Sequence, residues 1–301
     1  MIDDYYLEAG LITLSRVGEH HWNGGHFGAA VIAAYYFSHE QQLGQAAGAA
    51  LARQLDRMIA GHNDLFLPHD RAGKGMGDVT SIIAALDDNI VELHAIGHNV
   101  IFASLALKAL RQRPELATPA TIAGLVALVR QFYDHGPGRP FYGWPDILAV
   151  RVEPADDVPA YTDEATIALS ALAAFSAIEN VYPFLHQGIV GHLLTHAHAL
   201  IELARLGYGE LAAKGHDAHR LYVKLSRNQP DEGEPIPKHN NVCSVPLEAD
   251  YWKRDLEGSR QWLVGHVFKY TYSFYDLVRH VDSESDRQRY QAQLAYVLTE
   301  K

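Results

Sequence analysis

The chain has 301 residues, of which 48% are hydrophobic, and a formal net charge of −11. This length allows a large buried core, and the acidic charge argues against a nucleic-acid partner, because phosphates attract clustered lysine and arginine. No apolar run approaches the roughly 18–20 residues that cross a bilayer, and the acidic start at Asp3 and Asp4 is unlike a secretory signal. One cysteine, Cys243, excludes a disulfide framework. We therefore expect a soluble, cytoplasmic protein with no membrane association.

The hydrophobic periodicity predicts helices nearly throughout the chain. In chain order they cover 26–37, 41–60, a long or broken stretch 81–113, 120–132, 162–180, 186–207, 210–227, 261–281 and a last segment from 283. Polar stretches rich in glycine and proline predict irregular loops at 134–161 and 228–258. Because no alternating period-two run of useful length occurs, the predicted class is all-α, in a single domain over 1–301.

A Gly-His pair recurs where mostly apolar helices are predicted to begin, and its four copies are Gly25-His26, Gly97-His98, Gly191-His192 and Gly265-His266. Glycine supplies backbone freedom at a junction between loop and helix. An apolar inner helix followed by a more polar outer helix, repeated, is typical of helical-hairpin arrays. We expect this array to close into an α/α toroid whose histidines line one central site, because open solenoids usually have cleaner repeat periods.

The chain contains 18 histidines, whose imidazoles suit acid–base chemistry and, when neutral, metal binding. The alternative is that each histidine only bonds irregular backbone at a helix start. Histidines four residues apart lie on one helix face and can chelate a metal, or their spacing is a coincidence in a histidine-rich chain. The candidates for such a metal site are His94, His98, His192 and His196.

Lys269 lies in an otherwise apolar and aromatic segment next to Tyr270. Burying a lysine is costly unless its amine is paired or used, so we expect Lys269 to bind an anionic or phenolate group, or else to extend to solvent. The loop 134–161 contains Tyr142 and Trp144, and these two residues together with Tyr270 are the candidate substrate-binding aromatics. The alternative is that this loop only plugs one end of the fold.

These segments resemble the questin oxidase-like family, whose bacterial members carry histidines in segments close to THGVI, HPIxxVHA and EHVIKFT. The corresponding segments here are GHNVI from Gly97, GHLLTHAHA from Gly191 and GHVFKYT from Gly265, and Asn23 with His26 matches an N-terminal Asn-His element. The likeness extends over most of the chain. Phe102 and Leu105 stand where members often have an arginine and a second histidine.

The resemblance implies an oxidoreductase of oxygenase type that acts on a small aromatic or polyketide-like molecule. The family's named fungal activity is a Baeyer–Villiger-type opening of an anthraquinone ring, supported by a reduced nicotinamide such as NADPH. No flavin-binding motif occurs, so oxygen chemistry would need a His-bound metal ion, a diffusible cofactor or a phenolate substrate that activates itself. The implied catalytic residues, with imidazoles that take the substrate proton and an amine that holds the anion, are His26, His98, His192, His198, His266 and Lys269.

Two other functions stay open at this point. A sugar-active α/α-toroid hydrolase, lyase or isomerase would depend on carboxylates and a stacking aromatic, for which the candidates are Asp146, Asp163, Glu164 and Trp144. A non-catalytic helical-repeat binding protein would satisfy each histidine with backbone groups. No P-loop, GxGxxG, GxSxG or HExxH motif occurs, which argues against Walker NTPases, Rossmann dehydrogenases, α/β-hydrolases and zincins.

Overall fold

A computed structural model describes residues 2–69, 75–138, 149–228, 233–238, 245–254, 256, 262 and 264–299. These residues are helical and contain no strand, which confirms the predicted all-α class. Among them, no helix is both long and apolar enough to cross a membrane. The helices are α1 (Asp4–Arg16), α2 (Gly25–Glu40), α3 (Gln45–Gly61), α4 (Thr80–Asp87), α5 (His98–Gln112), α6 (Pro119–Arg130), α7 (Glu164–Ala177), α8 (Leu185–Arg205), α9 (Gly209–Lys214), α10 (His216–Ser226), α11 (Ala249–Lys253), α12 (His266–Leu277) and α13 (Glu284–Val297).

The predicted helices overlap the observed ones, with ends that differ by up to about five residues, except at four places. The stretch 81–113 is broken between α4 and α5, and the segment 210–227 is divided at Gly215 into α9 and α10. A Cβ on Gly215 would lie 2.7 Å from Leu200 Cδ2, so the break lies where close packing on α8 requires glycine. Helix α1 lies outside every predicted segment, and α11 lies inside the predicted loop 228–258.

The chain divides into two compact units. Unit 1 comprises Met1–Leu86, Phe102–Gln131 and Cys243–Tyr272, and unit 2 comprises Asp87–Ile101, Phe132–Val242 and Ser273–Lys301. Each unit combines three separate stretches of chain, so no single sequence boundary marks it. The single domain over 1–301 and its closure into a toroid stay predictions.

In unit 1, α1 packs against α2 and α6. The approach of α1 to α2 is close because Gly10 faces Gly28, where a Cβ on Gly28 would lie 2.6 Å from the Gly10 carbonyl oxygen. Helix α3 contacts α11, and Gln54 donates a hydrogen bond of 2.7 Å to the Trp252 carbonyl. The Trp252 ring stacks on Phe268 of α12, with centroids 5.6 Å apart.

In unit 2, α8 is the central helix and packs against α7, α9 and α10. Its residues 186–203 are all buried, and a helix that is buried on every face places its polar side chains in the interior. The prediction that Gly191-His192 begins a helix is wrong, because the pair lies in the middle of α8. The other three Gly-His pairs do stand where α2, α5 and α12 begin.

Candidate functional site

In unit 1, the side chain of Lys269 contacts that of His26. Lys269 lies on α12 and is 1% exposed, and its Nζ lies 2.5 Å from Nδ1 of His26 near the start of α2. Burial lowers the pKa of the Lys269 amine well below its ordinary value, which favours the uncharged amine. The alternative that Lys269 extends to solvent is therefore wrong.

Aromatic rings surround this contact within unit 1. The imidazole of His266 stacks on Tyr270 with centroids 4.7 Å apart, and it lies 5.2 Å from the ring of His26. Phe102 presents its edge to His26 at 5.8 Å. Unit 1 therefore brings four of the predicted site residues into one buried cluster: His26, His266, Lys269 and Tyr270.

Two glycines of the Gly-His pairs allow this cluster to pack. Gly265 has a φ of 66°, and a Cβ there would collide with the Cβ of Ala30 on α2. Gly25 has an ordinary helical φ of −60°, but a Cβ there would lie 2.7 Å from Cε2 of Phe102. The predicted need for backbone freedom thus holds at Gly265, whereas Gly25 is required for close side-chain packing.

In unit 2, His98 and His192 form a second pair. Nδ1 of His98 donates to the Ala95 carbonyl, and Nδ1 of His192 donates to the Gly188 carbonyl at 2.7 Å. A carbonyl only accepts hydrogen bonds, so each Nδ1 carries the proton and each Nε2 carries the lone pair in the neutral ring. The two rings lie 4.4 Å apart, and a ligating nitrogen of one lies within 4.8 Å of one on the other.

The other two metal candidates are also buried in unit 2. Nδ1 of His94 donates to the His135 carbonyl, so His94 has the same tautomer. His196 is 1% exposed and lies against Gly97, where a Cβ would approach its Cγ to 2.6 Å. Neither ring nitrogen of His196 has a hydrogen-bond partner among the described residues. Its pKa is held well below the ordinary value by burial first, then by His219 and His98, so the ring is neutral.

His198 lies in a buried network of charged groups on α8 and the C-terminal part of α12. Its Nδ1 lies 3.1 Å from Ser273 Oγ, and its Nε2 lies 3.6 Å from the Asp276 carboxylate. Arg205 binds both oxygens of Asp276, at 3.0 and 2.9 Å. Burial by itself raises the pKa of Asp276, but His198 and Arg205 outweigh it and the pKa is lowered. His198 therefore lies beside a buried carboxylate that Arg205 already binds.

Sequence reasoning missed the partners in this network and the buried contact of His219 with Tyr161. Asp276 and Arg205 come from different helices, and no sequence spacing connects them. His219 donates from Nε2 to the Leu193 carbonyl at 3.1 Å, so its Nδ1 accepts from the Tyr161 hydroxyl at 2.7 Å. Burial lowers the pKa of His219 to about 4, which keeps this ring neutral.

The carboxylates expected for a sugar-active enzyme have structural partners. Asp163 caps α7 by accepting from the Thr166 backbone at 2.8 Å. Glu164 pairs with Arg205 at 2.9 Å. The remaining predicted residues of that alternative, Asp146 and Trp144, lie outside the described residues, as does the substrate-binding candidate Tyr142.

No family model, curated protein or solved structure matches this chain. The likeness to the questin oxidase-like family therefore stays a resemblance carried by the histidine segments. The five catalytic histidine candidates are all buried, as a site requires: His26, His98, His192, His198 and His266. That they share one site stays a prediction.

Proposed function

We propose that this protein is an oxidoreductase of questin oxidase-like, oxygenase type. Its substrate would be a small aromatic or polyketide-like molecule that carries an acidic hydroxyl group. The observation that carries the proposal is the buried pair of His98 and His192 in unit 2, whose two imidazoles have the same metal-binding tautomer. A redox-active metal ion bound there would supply the chemistry with dioxygen.

The donor set fits a transition-metal ion. Metal-ligating histidines usually donate their other ring N–H to a carbonyl or carboxylate, which fixes the ring and directs the lone pair to the metal. Ala95 and Gly188 supply such carbonyls to His98 and His192. Burial of both rings keeps bulk water away from the two lone pairs.

The contact between Lys269 and His26 supports proton transfer from the substrate. An uncharged amine beside an imidazole accepts a proton from a phenolic hydroxyl, and the ammonium that forms then stabilises the phenolate. The stacked rings of His266 and Tyr270 provide an aromatic surface beside the amine. The resemblance implies that the histidines take the proton and that Lys269 holds the anion; here we propose that the Lys269 amine beside His26 does both.

The electron donor is proposed from the resemblance alone. NADPH, dioxygen and one proton from solvent balance an oxygenation, because one oxygen atom enters the substrate while the other leaves as water and NADPH becomes NADP⁺. The described residues contain no strand–glycine-loop–helix unit for a dinucleotide pyrophosphate, so no residue is assigned to NADPH. The toroid, the cytoplasmic location and a small-molecule substrate without nucleic-acid or membrane partners belong to the same proposal. The toroid rests on the Gly-His repeat, and the lack of a nucleic-acid partner rests on the net charge of −11.

The test is elemental analysis of the purified protein beside the variants H98Q and H192Q. We expect one transition-metal ion per chain in the wild type and its loss in both variants. H216Q is the matched control, because His216 is a histidine of unit 2 outside the pair of His98 and His192. The H216Q protein should keep the metal. Circular dichroism melts separate metal loss from unfolding.

Activity is measured as oxygen consumption with NADPH and a panel of phenols that includes a hydroxyanthraquinone. We expect uptake by the wild type and H216Q, and none by H98Q or H192Q. A wild type that holds no metal after purification in metal-supplemented medium, and consumes no oxygen with the panel, would overturn the proposal in favour of a binding protein.

A further inference from the structure

Three consecutive residues with left-handed backbone precede His98. Ala95, Ile96 and Gly97 have φ angles of 43°, 55° and 88°. A left-handed conformation costs an L-residue roughly 1–2 kcal/mol, and it normally occurs at single residues. Two non-glycine residues in such a run persist only where neighbouring structure holds them in place.

A short segment of unit 2, residues 135–138, holds this left-handed run. The backbone N–H of Ala95 donates to the Gly136 carbonyl at 2.8 Å, and that of Ile96 donates to the Pro137 carbonyl at 2.7 Å. Gly138 also packs closely against this run, because a Cβ there would lie 2.8 Å from Cγ2 of Ile96. We refer to residues 135–138 as the brace.

The strained run determines the state of the His98 ring. The carbonyl of Ala95 accepts the Nδ1 proton of His98, so the acceptor that sets the tautomer belongs to a left-handed residue. If Ala95 and Ile96 relaxed to ordinary φ angles, this carbonyl would rotate away from His98. The ring would then lose the bond that keeps its proton on Nδ1.

We propose that the brace positions His98, by holding the left-handed run that presents the Ala95 carbonyl to Nδ1. His98 would thereby keep its Nε2 in the form that binds a metal. The consequence for metal affinity rests on the proposed function. The tautomer and orientation of His98 do not depend on the proposed function, since they are properties of the metal-free chain. Gly138 and the backbone of residues 136–137 are positioning groups in this proposal, and they touch neither metal nor substrate.

The test compares G138A with G207A. Both glycines have positive φ, 124° and 95°, so both substitutions carry a backbone cost. Gly207 has open space around it, whereas a methyl group on Gly138 meets Ile96. The double variant I96G/G138A removes the Ile96 side chain and lets residue 96 take positive φ without strain, while the backbone cost at residue 138 remains, as it does at residue 207 in G207A. It therefore serves as the rescue.

The first readout is the tautomer of His98 in metal-free protein, from two-bond ¹⁵N–¹H correlations of the imidazole, assigned by comparison with H98Q. We expect the Nδ1–H form in the wild type, in G207A and in I96G/G138A, and a substantial Nε2–H population in G138A. An unchanged Nδ1–H tautomer in folded G138A would overturn the proposal, whatever the metal result.

The second readout is the affinity for Zn²⁺ as a probe ion, which we expect to fall about tenfold or more in G138A and to stay near the wild-type value in G207A. A wild type without Zn²⁺ affinity would count against the proposed function, while the tautomer would still decide the role of the brace. If G138A does not fold, amide hydrogen exchange in the wild type tests the role of the brace instead. Bound Zn²⁺ should slow exchange at Ala95 and Ile96, because coupling is reciprocal, and unchanged exchange would contradict the proposal.

Discussion

The Nζ of Lys269 lies 2.5 Å from Nδ1 of His26 inside unit 1. Two cations at this distance would repel each other, so at least one partner is uncharged. Burial favours the Lys269 amine as that partner, because it lowers the pKa well below the ordinary value. The contact is therefore a hydrogen bond in which the uncharged amine is the favoured form.

K269M should become more stable relative to the wild type as the pH falls below about 10.5. The unfolded chain binds a proton on Lys269 below that pH and the folded chain does not, so protonation favours unfolding of the wild type alone. The difference in the free energy of unfolding between K269M and the wild type should grow by up to about 1.4 kcal/mol per pH unit as the pH falls, until the folded-state pKa of Lys269 is reached. Urea denaturation at pH 7, 8, 9 and 10 measures it.

The control for this prediction is K253M, since Lys253 is a lysine with its side chain 54% exposed. Its stability relative to the wild type should change little over the same pH range. A K269M difference that is as flat with pH as that of K253M would show that Lys269 is charged in the folded protein.

D276N should destabilise the protein by roughly 3–5 kcal/mol at neutral pH, because it breaks a buried carboxylate–arginine pair. The pKa of Asp276 is lowered in the folded state, so its contribution is present above pH 3.8 and is lost as the pH falls through the folded-state pKa. The difference between D276N and the wild type should therefore shrink in acid. D217N removes an ion pair whose carboxylate is 82% exposed and should cost less than about 1 kcal/mol at any pH.

G97A should destabilise the protein more than G207A. Both glycines have positive φ, 88° and 95°, so both substitutions carry a backbone cost of roughly 1–2 kcal/mol. Only the methyl group on residue 97 meets another side chain, the ring of His196 at 2.6 Å from Cγ. The difference in melting temperature between G97A and G207A measures the cost of the contact with His196. Equal melting temperatures would contradict that contact.

Y161F should destabilise the protein by about 1–3 kcal/mol, because it leaves the buried Nδ1 of His219 without the hydroxyl that donates to it at 2.7 Å. Y133F removes an exposed hydroxyl that donates to Asp88 and should change the stability by less than about 0.5 kcal/mol. Urea denaturation compares the two. If the two variants are equally stable, the Tyr161 hydroxyl does not stabilise His219.

Some misses left a signal in the sequence and others did not. Helix α1 buries Leu7, Leu11 and Leu14 at helical spacing, so the periodicity that marks this helix is present in the sequence. The left-handed backbone before α5 has no such signal, because Ala95 and Ile96 are ordinary helix residues whose positive φ angles accompany hydrogen bonds to Gly136 and Pro137. Those partners lie about forty residues further along the chain.

The sequence by itself determined the all-α class, the approximate positions of most helices and the helix starts at His26, His98 and His266. These features depend on periodicity and glycine, which act over a few residues. Only the tertiary structure decided that burial lowers the pKa of the Lys269 amine, that His98 has its proton on Nδ1 and that His198 faces Asp276. Protonation and tautomer depend on burial and on partners that approach through space, so the fold that brings those partners together sets the chemistry of each histidine.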